Sequence, residues 1–241
     1  MAFVIGDNQY GYERAFDLLI KECFIDVKND RVEKQIPVVH VGDNGDYYRG
    51  TELRDQKSWE VLPEYFDEML IGNHEAYVLF GMELGGGWMP NYICKGLIEK
   101  AFDSGKLKFA TSHDGFLITH AGVHPSFEDD LPDDPVEAAK YLNDLGAENP
   151  HAQIFSYIGA IRGGWQGYGG IFWRDVSEPI SDKWPQIFGH SRMPLVTAFG
   201  KEDSKDDPDY HYAIDVGYPN NGRIAGLYTD SRKVVEVNIN D

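Results

Sequence analysis

Five short apolar runs along the chain are each followed directly by a polar block that carries aspartate, asparagine or histidine. Runs of this length and composition are typical of buried strands. If they are strands, every polar block lies at a carboxyl end, where open α/β sheets bind their ligands. The apolar runs are residues 3–5, 38–41, 69–71, 116–118 and 187–188, and the polar blocks are residues 6–9, 42–46, 72–75, 119–122 and 189–191.

Strand and helix patterns alternate along the first third of the chain, which predicts an α/β fold. Between strands at 3–5 and 36–41, apolar residues at helical spacing predict a helix over 12–24. Residues 51–66 suit either a helix or a loop, and a further helix is predicted over 75–81. Farther along, the pattern predicts helices over 97–102 and 136–145 and strands over 107–110, 212–216, 223–229 and 233–237.

Residues 125–172 depart from this alternation. They contain an acidic segment with prolines at 127–135 and a glycine-rich segment with aromatics at 162–170, and both compositions predict loops. We interpret 125–172 as an insertion beside the site. The whole chain, residues 1–241, is predicted to form a single domain, because the five polar blocks must meet in space.

Composition narrows the classes of protein and partner. At 42% hydrophobic residues the chain can bury a sizeable core, and its net charge of −18 should repel nucleic acid and anionic membranes. No apolar stretch reaches the roughly 20 residues of a membrane span. Its two cysteines, Cys23 and Cys94, form no disulfide framework. We therefore expect a cytoplasmic protein without nucleic-acid or membrane partners, and the sequence leaves the oligomeric state open.

Carboxylates that directly follow buried strands need a partner, because an unpaired buried ion is costly. Taken alone, Asp7 or Asp43 is equally well explained as a helix cap or as a metal ligand. Asn73, His120 and His190 at three other strand ends favour the metal site. Aspartate, asparagine and histidine suit divalent Mn, Fe, Zn, Co or Ni, and a set without cysteine argues against a closed structural zinc site.

His74 directly follows Asn73 and so points in a different direction from it. It either protonates a leaving oxygen, with Asp46 orienting and charging the imidazole, or is an ordinary surface histidine at the start of a helix. The other histidines are interpreted as structural, with His40 in the core and four at the surface or in loops, namely His113, His124, His151 and His211.

The polar blocks, taken in order, resemble the calcineurin-like metallophosphoesterases, in particular the branch of phosphoprotein phosphatases and symmetrical dinucleoside tetraphosphatases. The resemblance runs through residues 3–230. It implies a two-sheet β-sandwich flanked by helices, with the site at the strand ends. The matching blocks are Gly6-Asp7, Gly42-Asp43 with Asp46, Gly72-Asn73-His74-Glu75, His120-Ala121-Gly122, Gly189-His190-Ser191 and the late block Ile214-Asp215-Val216-Gly217 with Gly222-Arg223.

The resemblance also implies a role for each residue of the site. Two divalent ions, Mn first and Fe, Zn, Ni or Co as alternatives, would share one carboxylate, and a water between them would attack phosphorus in line. His74, backed by Asp46, would be the general acid. Metal one would take Asp7, Gln9 and Asp43, metal two would take Asp43, Asn73, His120 and His190, and the phosphate would be held by Arg49 and Arg174.

Two positions depart from the family pattern. Gln9 stands where the family has histidine, and a neutral amide oxygen favours Mn or Mg and weaker binding at metal one. Tyr47-Tyr48 separates Asp46 from Arg49, whereas the family has arginine directly after that aspartate. Arg174 is therefore a second candidate for the phosphate, with a surface salt bridge as its ordinary alternative.

The resemblance implies a phosphatase most like a Ser/Thr protein phosphatase, because dinucleoside tetraphosphatases have aspartate in place of Glu75. Symmetrical diadenosine tetraphosphate hydrolysis is the alternative, which Gln9 favours, and a non-catalytic binding module on a decayed site is a third. The substrate would then be a phosphorylated protein or peptide, or a nucleotide. The aromatics Trp165, Tyr168 and Trp173 either pack their loop onto the core, the commoner arrangement, or stack on a base or hold a peptide.

Overall fold

The computed structural model describes residues 1–8, 12–22, 26–28, 31–45, 52–82, 91–201, 210–217 and 222–238. Its strands, in chain order, are β1 (Phe3–Ile5), β2 (Asp26–Lys28), β3 (Arg31–Glu33), β4 (Val38–His40), β5 (Glu68–Leu70), β6 (Leu107–Lys108), β7 (Thr111–His113), β8 (Phe116–Ile118), β9 (Gln186–Phe188), β10 (Thr197–Phe199), β11 (His211–Ala213), β12 (Arg223–Tyr228) and β13 (Val234–Asn238). Its helices are α1 (Tyr12–Lys21), α2 (Glu52–Val61), α3 (Asn73–Phe80), α4 (Tyr92–Asp103), α5 (Pro135–Glu148) and α6 (Gln153–Ser156), with 3-10 helices at Leu62–Glu64, Pro125–Asp130 and Ala160–Arg162.

Two mixed sheets carry the fold. The first has the order β13-β12-β1-β4-β5-β6, in which β1, β4, β5 and β6 run parallel and β12 and β13 run antiparallel to their neighbours. The second has the order β10-β11-β9-β8-β7, with β8, β9 and β11 parallel and an antiparallel strand at each edge. A separate hairpin pairs β2 with β3. The sequence pattern did not predict that hairpin.

Side-chain alternation along the central strands divides the core into layers. On β1, Val4 packs between the two sheets, whereas Phe3 and Ile5 pack with Leu18 and Leu19 of α1. On β8, Phe116 and Ile118 likewise face the first sheet, and the residue between them faces α5. This alternation follows from the two-residue period of a strand. The architecture is the predicted α/β fold, a two-sheet sandwich flanked by helices.

Most predicted elements are confirmed with shifted ends, and residues 51–66, which suited a helix or a loop, contain α2. The acidic segment 127–135, predicted as a loop, overlaps the 3-10 helix Pro125–Asp130. Its last aspartate, Asp134, caps α5 by accepting the backbone N–H of Val136 at 2.9 Å and of Glu137 at 3.1 Å. Helix α5 packs on β7 and β8.

The single domain and its insertion at 125–172 stay predictions. Within the described residues, no helix has the length and apolar character needed to span a bilayer.

Candidate metal centre

The five predicted metal ligands that the structure describes all lie just beyond the carboxyl ends of parallel strands. Asp7 follows β1, Asp43 follows β4, and Asn73 follows β5 as the first residue of α3. His120 and His190 follow β8 and β9 in the second sheet. All five are buried, with 9% exposure at most. Because the central strands of each sheet are parallel, their ends open toward one region, and each sheet supplies part of the site.

Four side-chain atoms, one from each of four residues, converge at the centre of this region. Asn73 Oδ1 lies 3.1 Å from His120 Nε2 and 2.9 Å from His190 Nδ1, and the two imidazole nitrogens are 3.2 Å apart. Asp43 Oδ1 lies 3.6 Å from His120 Nε2. Ligands at ~2.1 Å from a divalent ion lie roughly 3–3.5 Å from one another. The spacing is therefore that of a coordination shell, and these are the residues predicted for metal two.

The hydrogen positions also fit a cation better than a hydrogen-bonded cluster. His120 Nδ1 lies 2.8 Å from the carbonyl oxygen of Val41, which can only accept, so Nδ1 carries the proton and Nε2 offers a lone pair. Asp43 Oδ1 and Asn73 Oδ1 are acceptors as well. Besides the His74 backbone N–H that Asp43 Oδ1 accepts, a neutral His190 offers at most one hydrogen to the four inward-facing atoms. A divalent ion satisfies all four, and the mixed oxygen and nitrogen donors suit Mn, Fe, Co, Ni or Zn.

The electrostatics of the region also favour a bound cation. Burial, followed by the nearby Asp215 and Asp43 carboxylates, raises the pKa of Asp7 well above its ordinary value. Burial lowers the pKa of His120, and burial together with His120 lowers that of His190 well below the usual value. These shifts favour the neutral imidazoles that bind a cation, while the crowded carboxylates attract one.

Two glycines of the polar blocks are needed because ligand carboxylates pack against them. A Cβ on Gly72 would lie 2.1 Å from Asp43 Oδ1, and one on Gly189 would lie 2.0 Å from Asp7 Oδ1. Asp43 itself adopts φ of +56°, in the left-handed region. Its conformation turns the chain sharply after β4, and its carboxylate accepts the backbone N–H of His74 at 3.2 Å.

Glu75 holds the ligand-bearing turns from behind. Its Oε2 accepts the backbone N–H of Asp43 and of Gly72, and its Oε1 accepts that of Asn44, each at 2.9 Å. The side chain is fully buried, and burial with the Asp43 charge raises its pKa to about 7. Glu75 therefore connects the loop after β4 to the loop after β5, and its carboxylate faces backbone rather than the open side of the site.

His74 lies beside the cluster rather than in it. Its Nε2 is 3.7 Å from Asp43 Oδ2, and its side chain is 14% exposed. The sequence predicted that His74 and Asn73 would point in different directions, and the role of His74 beside the metal stays a prediction. Its position beside the cluster, with limited access to solvent, is compatible with a proton donor for a leaving group.

Arg174 is not brought to the open side of the site. It is 1% exposed, and its Nε donates to Ala121 O at 2.9 Å while its Nη1 donates to Glu178 O at 2.8 Å. The guanidinium also lies 4.7 Å from the centre of the Phe188 ring. Arg174 thus packs beneath the turn that carries His120 and supports it. The alternative of a surface salt bridge is wrong, because the residue is buried, and its binding of phosphate stays a prediction.

Arg162 is a positive residue near the site that the sequence analysis did not single out. Its Nη2 donates to Ser191 Oγ at 2.6 Å, directly after the ligand His190, and its Nε lies 2.8 Å from Asp175 Oδ2. Its charge contributes to the lowered pKa values of His120 and His190. The only sequence signal was its place at the head of the glycine-rich segment, since no motif of the strand ends includes it.

Two other histidines have clear structural roles. His40 is fully buried and paired with the Asn8 side chain, and its Nδ1 accepts the Gly42 N–H at 3.1 Å, which confirms the core interpretation. Burial lowers its pKa to about 3. The surface interpretation of His211 is wrong, since this residue lies buried in β11 with Nε2 2.9 Å from Asp182 Oδ1.

Three predicted site residues fall outside the residues that the structure describes. They are Gln9 of metal one, Asp46 behind His74, and Arg49 of the phosphate clamp. Their roles stay predictions. The ion called metal one also stays a prediction, and its described candidate ligands are Asp7 and Asp43.

Solved structures with the same architecture include phosphatases. A cold-active protein-tyrosine phosphatase from the psychrophile Shewanella sp. matches with a TM-score of 0.61 at 17% identity, over 98% of this chain and 76% of that one. A protein provisionally named a diadenosine tetraphosphatase matches with a TM-score of 0.51 at 15% identity, over 98% and 92% of the two chains. The chain has the metallophosphoesterase fold.

A metallophosphoesterase from Sphaerobacter thermophilus matches less closely, with a TM-score of 0.43 at 14% identity over 98% of this chain and 86% of that one. No protein-family model and no curated protein matches the sequence. At these identities the likeness shows the fold alone, and the chemistry must be argued from the site itself.

Proposed function

We propose that this chain is a metal-dependent phosphatase that hydrolyses phosphate esters. The observation that carries the proposal is the convergence of Asp43, Asn73, His120 and His190, two from each sheet. The Asn73, His120 and His190 atoms lie 2.9–3.2 Å from one another, and Asp43 Oδ1 lies 3.6 Å from His120 Nε2. These residues lie at the strand ends of a metallophosphoesterase fold. His74 lies beside this cluster, with Nε2 3.7 Å from Asp43 Oδ2, where it could take part in a reaction.

The described residues divide the chemistry among themselves. Divalent cations held by the cluster and by Asp7 would lower the pKa of a water and polarise the phosphoryl oxygens. His74 would give its proton to the leaving oxygen as the P–O bond breaks, in line with the attacking water. Asp43 orients His74 by accepting its backbone N–H and by lying near its Nε2. Arg162, which is paired with Asp175 and donates to Ser191 Oγ beside His190, would offer a remaining guanidinium N–H to the phosphate.

The finer assignments are also part of this proposal. We infer two ions rather than one, with Asp43 between them, and Mn as the first candidate because Gln9 is a neutral oxygen ligand. An activity most like that of a Ser/Thr protein phosphatase is the first candidate from the sequence, and diadenosine tetraphosphate hydrolysis is the second. Glu75, which favoured the first, faces backbone N–H groups and so does not discriminate between substrates.

Hydrolysis of p-nitrophenyl phosphate with Mn²⁺ tests the proposed function. His74→Asn should reduce kcat by about 10²–10⁴, the usual contribution of a positioned proton donor. Asp43→Asn should reduce activity at least as far, because it removes charge from the cluster. His113→Asn is the matched control, since His113 lies on β7 beside Glu68 and away from the cluster.

Wild-type rates in both His74→Asn and Asp43→Asn would refute the mechanism. Absence of hydrolysis with Mn, Ni, Co and Fe, in a protein that still binds these ions, would favour the non-catalytic binding module. Turnover on a phosphoserine peptide compared with diadenosine tetraphosphate ranks the two substrate classes.

A further inference from the structure

Arg174 contacts both turns of the second sheet that carry candidate metal ligands. Its Nε donates to Ala121 O at 2.9 Å, in the residue directly after His120. Its guanidinium lies 4.7 Å from the centre of the Phe188 ring, two residues before His190. One buried side chain therefore touches the chain beside each ligand that the second sheet supplies.

The residue that follows His120 is held on both sides by one short segment. The Ala121 N–H donates to Ile171 O at 2.7 Å, and the Ala121 carbonyl accepts from Arg174 Nε. Ile171 and Arg174 belong to the same turn, in which Gly170 O accepts the Arg174 N–H at 2.8 Å. Because this turn bonds both backbone groups of Ala121, it fixes how His120 is presented to the cluster.

His190 needs support because its own backbone is strained. It adopts φ of +66°, in the left-handed region, which costs a residue other than glycine about 1–3 kcal/mol and persists only where the surroundings fix it. The ring of Trp173 meets the His190 ring edge-on with 5.8 Å between centroids, and Arg174 packs on Phe188 just before it. The segment that holds the residue after His120 therefore also packs around the second ligand.

The contacts of the guanidinium suit a support better than a phosphate ligand. Nε and Nη1 donate to three backbone carbonyls, those of Ala121 at 2.9 Å, Asp175 at 3.1 Å and Glu178 at 2.8 Å. Nη2 is buried without an acceptor among the described residues and faces Gly122, where an added Cβ would lie 3.0 Å from it. With 1% of the arginine exposed, a phosphate reaches the guanidinium only if this turn moves away.

We propose that Arg174 is a positioning residue of the metal centre, which holds His120 and His190 from within the second sheet and does not bind the phosphate. The inference rests on the proposed function, since it concerns the same metal centre, and it replaces the phosphate contact that the family resemblance implies. Arginine is needed because its planar guanidinium reaches carbonyls in two directions at once, whereas lysine offers a single ammonium group.

Positioning and charge predict different effects on Mn²⁺ affinity. Burial lowers the pKa of Arg174 to about 10, so the guanidinium is still charged at pH 7 and repels a cation bound nearby. If this charge were its only effect, Arg174→Met would tighten Mn²⁺ binding and Arg174→Lys would leave it unchanged. If Arg174 positions the ligands, both substitutions weaken Mn²⁺ binding.

Isothermal titration of the full chain with Mn²⁺ tests the proposal. We expect Arg174→Lys and Arg174→Met to weaken Mn²⁺ binding by about 10–100-fold, the usual effect of removing a group that orients metal ligands. At saturating Mn²⁺, the Kd of inorganic phosphate should keep its wild-type value in both variants. Arg232→Met is the matched control, since Arg232 is exposed and also lies over a phenylalanine, with its guanidinium 5.7 Å from the centre of the Phe116 ring.

Wild-type Mn²⁺ affinity in both Arg174 variants would overturn the proposal, as would tighter binding in Arg174→Met. Weaker phosphate binding at unchanged Mn²⁺ affinity would return Arg174 to the phosphate. Thermal unfolding in EDTA shows whether each variant folds. Failure of both to fold would also overturn the proposal, because Arg174 would then support the whole fold rather than the metal centre.

Hydrolysis of p-nitrophenyl phosphate by the wild type separates this inference from the proposed function. Turnover by the wild type, together with unchanged Mn²⁺ affinity in the Arg174 variants, would remove the inference alone. Weakened Mn²⁺ binding in the variants of a chain that shows no turnover would remove the proposed function alone.

Discussion

Glu75 fixes the position of the candidate metal ligand Asp43 by binding the Asp43 backbone rather than its carboxylate. Its two oxygens accept three backbone N–H groups, from Asp43, Asn44 and Gly72. These groups belong to turns after two different strands, so the Asp43 carboxylate and the start of α3 are held in one arrangement. Groups that hold metal ligands from behind contribute substantially to affinity although they never contact the ion.

Glu75→Gln should therefore weaken Mn²⁺ binding by about 10–100-fold. The amide replaces one acceptor oxygen with an NH₂ group, which faces a backbone N–H and leaves it without a partner. Isothermal titration of Mn²⁺ measures the effect. Glu99→Gln is the control, because Glu99 is half-exposed on α4 and pairs with Lys95 at 3.7 Å. Equal Mn²⁺ affinities in the wild type and Glu75→Gln would show that this carboxylate does not position the ligands.

At the level of single residues, the sequence predicts which candidate ligands converge, and it does not predict the residues that support them. Asp43, His120 and His190 were predicted because a polar residue after a buried strand is conspicuous. Arg162 was missed, because it lies 28 positions before His190 and only the folded chain brings it to Ser191. The 98% exposure of Trp165 was equally inaccessible, since a tryptophan among glycines suits a packed loop as well as an open one.

At the level of elements, helix α5 approaches the core through a glycine. Gly146 lies on the buried face of α5, and a Cβ there would lie 2.5 Å from the ring of Phe109. Phe109 is itself packed among Phe80, Phe155 and Phe172 with ring centroids 4.8–5.9 Å apart. The ring therefore has little room to move, and close contact of α5 with this layer depends on the missing side chain.

Gly146→Ala should destabilise the protein by about 1–3 kcal/mol through overpacking, although alanine is the better helix former by about 1 kcal/mol. Gly96→Ala on α4 is the matched control, since a Cβ at Gly96 meets no atom within 4 Å. That substitution should leave stability equal or raise it by up to ~1 kcal/mol. Urea unfolding measures both. A Gly146→Ala variant as stable as Gly96→Ala would mean that α5 and Phe109 separate easily.

The accuracy of the predicted elements follows from how apolar each one is. Strands β1, β4 and β5 were predicted because each is a run of buried side chains next to a polar block. The hairpin of β2 and β3 was missed, since DVK and RVE alternate charged residues with one valine and resemble a loop. Helix α2 was ambiguous because its sequence, ELRDQKSWEV, has no clear apolar stripe.

At the level of the whole molecule, the metal centre is also a junction between the two sheets. Asp43 and Asn73 extend from the first sheet, His120 and His190 from the second, and Asp7 accepts the His190 backbone N–H at 3.1 Å. The sequence predicted this convergence from the order of the polar blocks. It could not predict which residues would face which sheet, because that depends on crossovers between distant strands. A cation bound here would cross-link the sheets and offset repulsion in a chain of net charge −18.

Divalent metal should therefore stabilise the folded state as a whole. A ligand at 100 times its Kd that binds only the folded state adds about 2.7 kcal/mol, which for a chain of this length is a rise in Tm of roughly 5–10 °C. Thermal unfolding with Mn²⁺ and with EDTA measures that rise. It should disappear in His120→Ala, which removes a ligand of the second sheet, and persist in His113→Ala, since His113 lies beside Glu68 instead. A rise of the same size in His120→Ala would place the stabilising ion elsewhere, and the cluster would then join the sheets by packing alone.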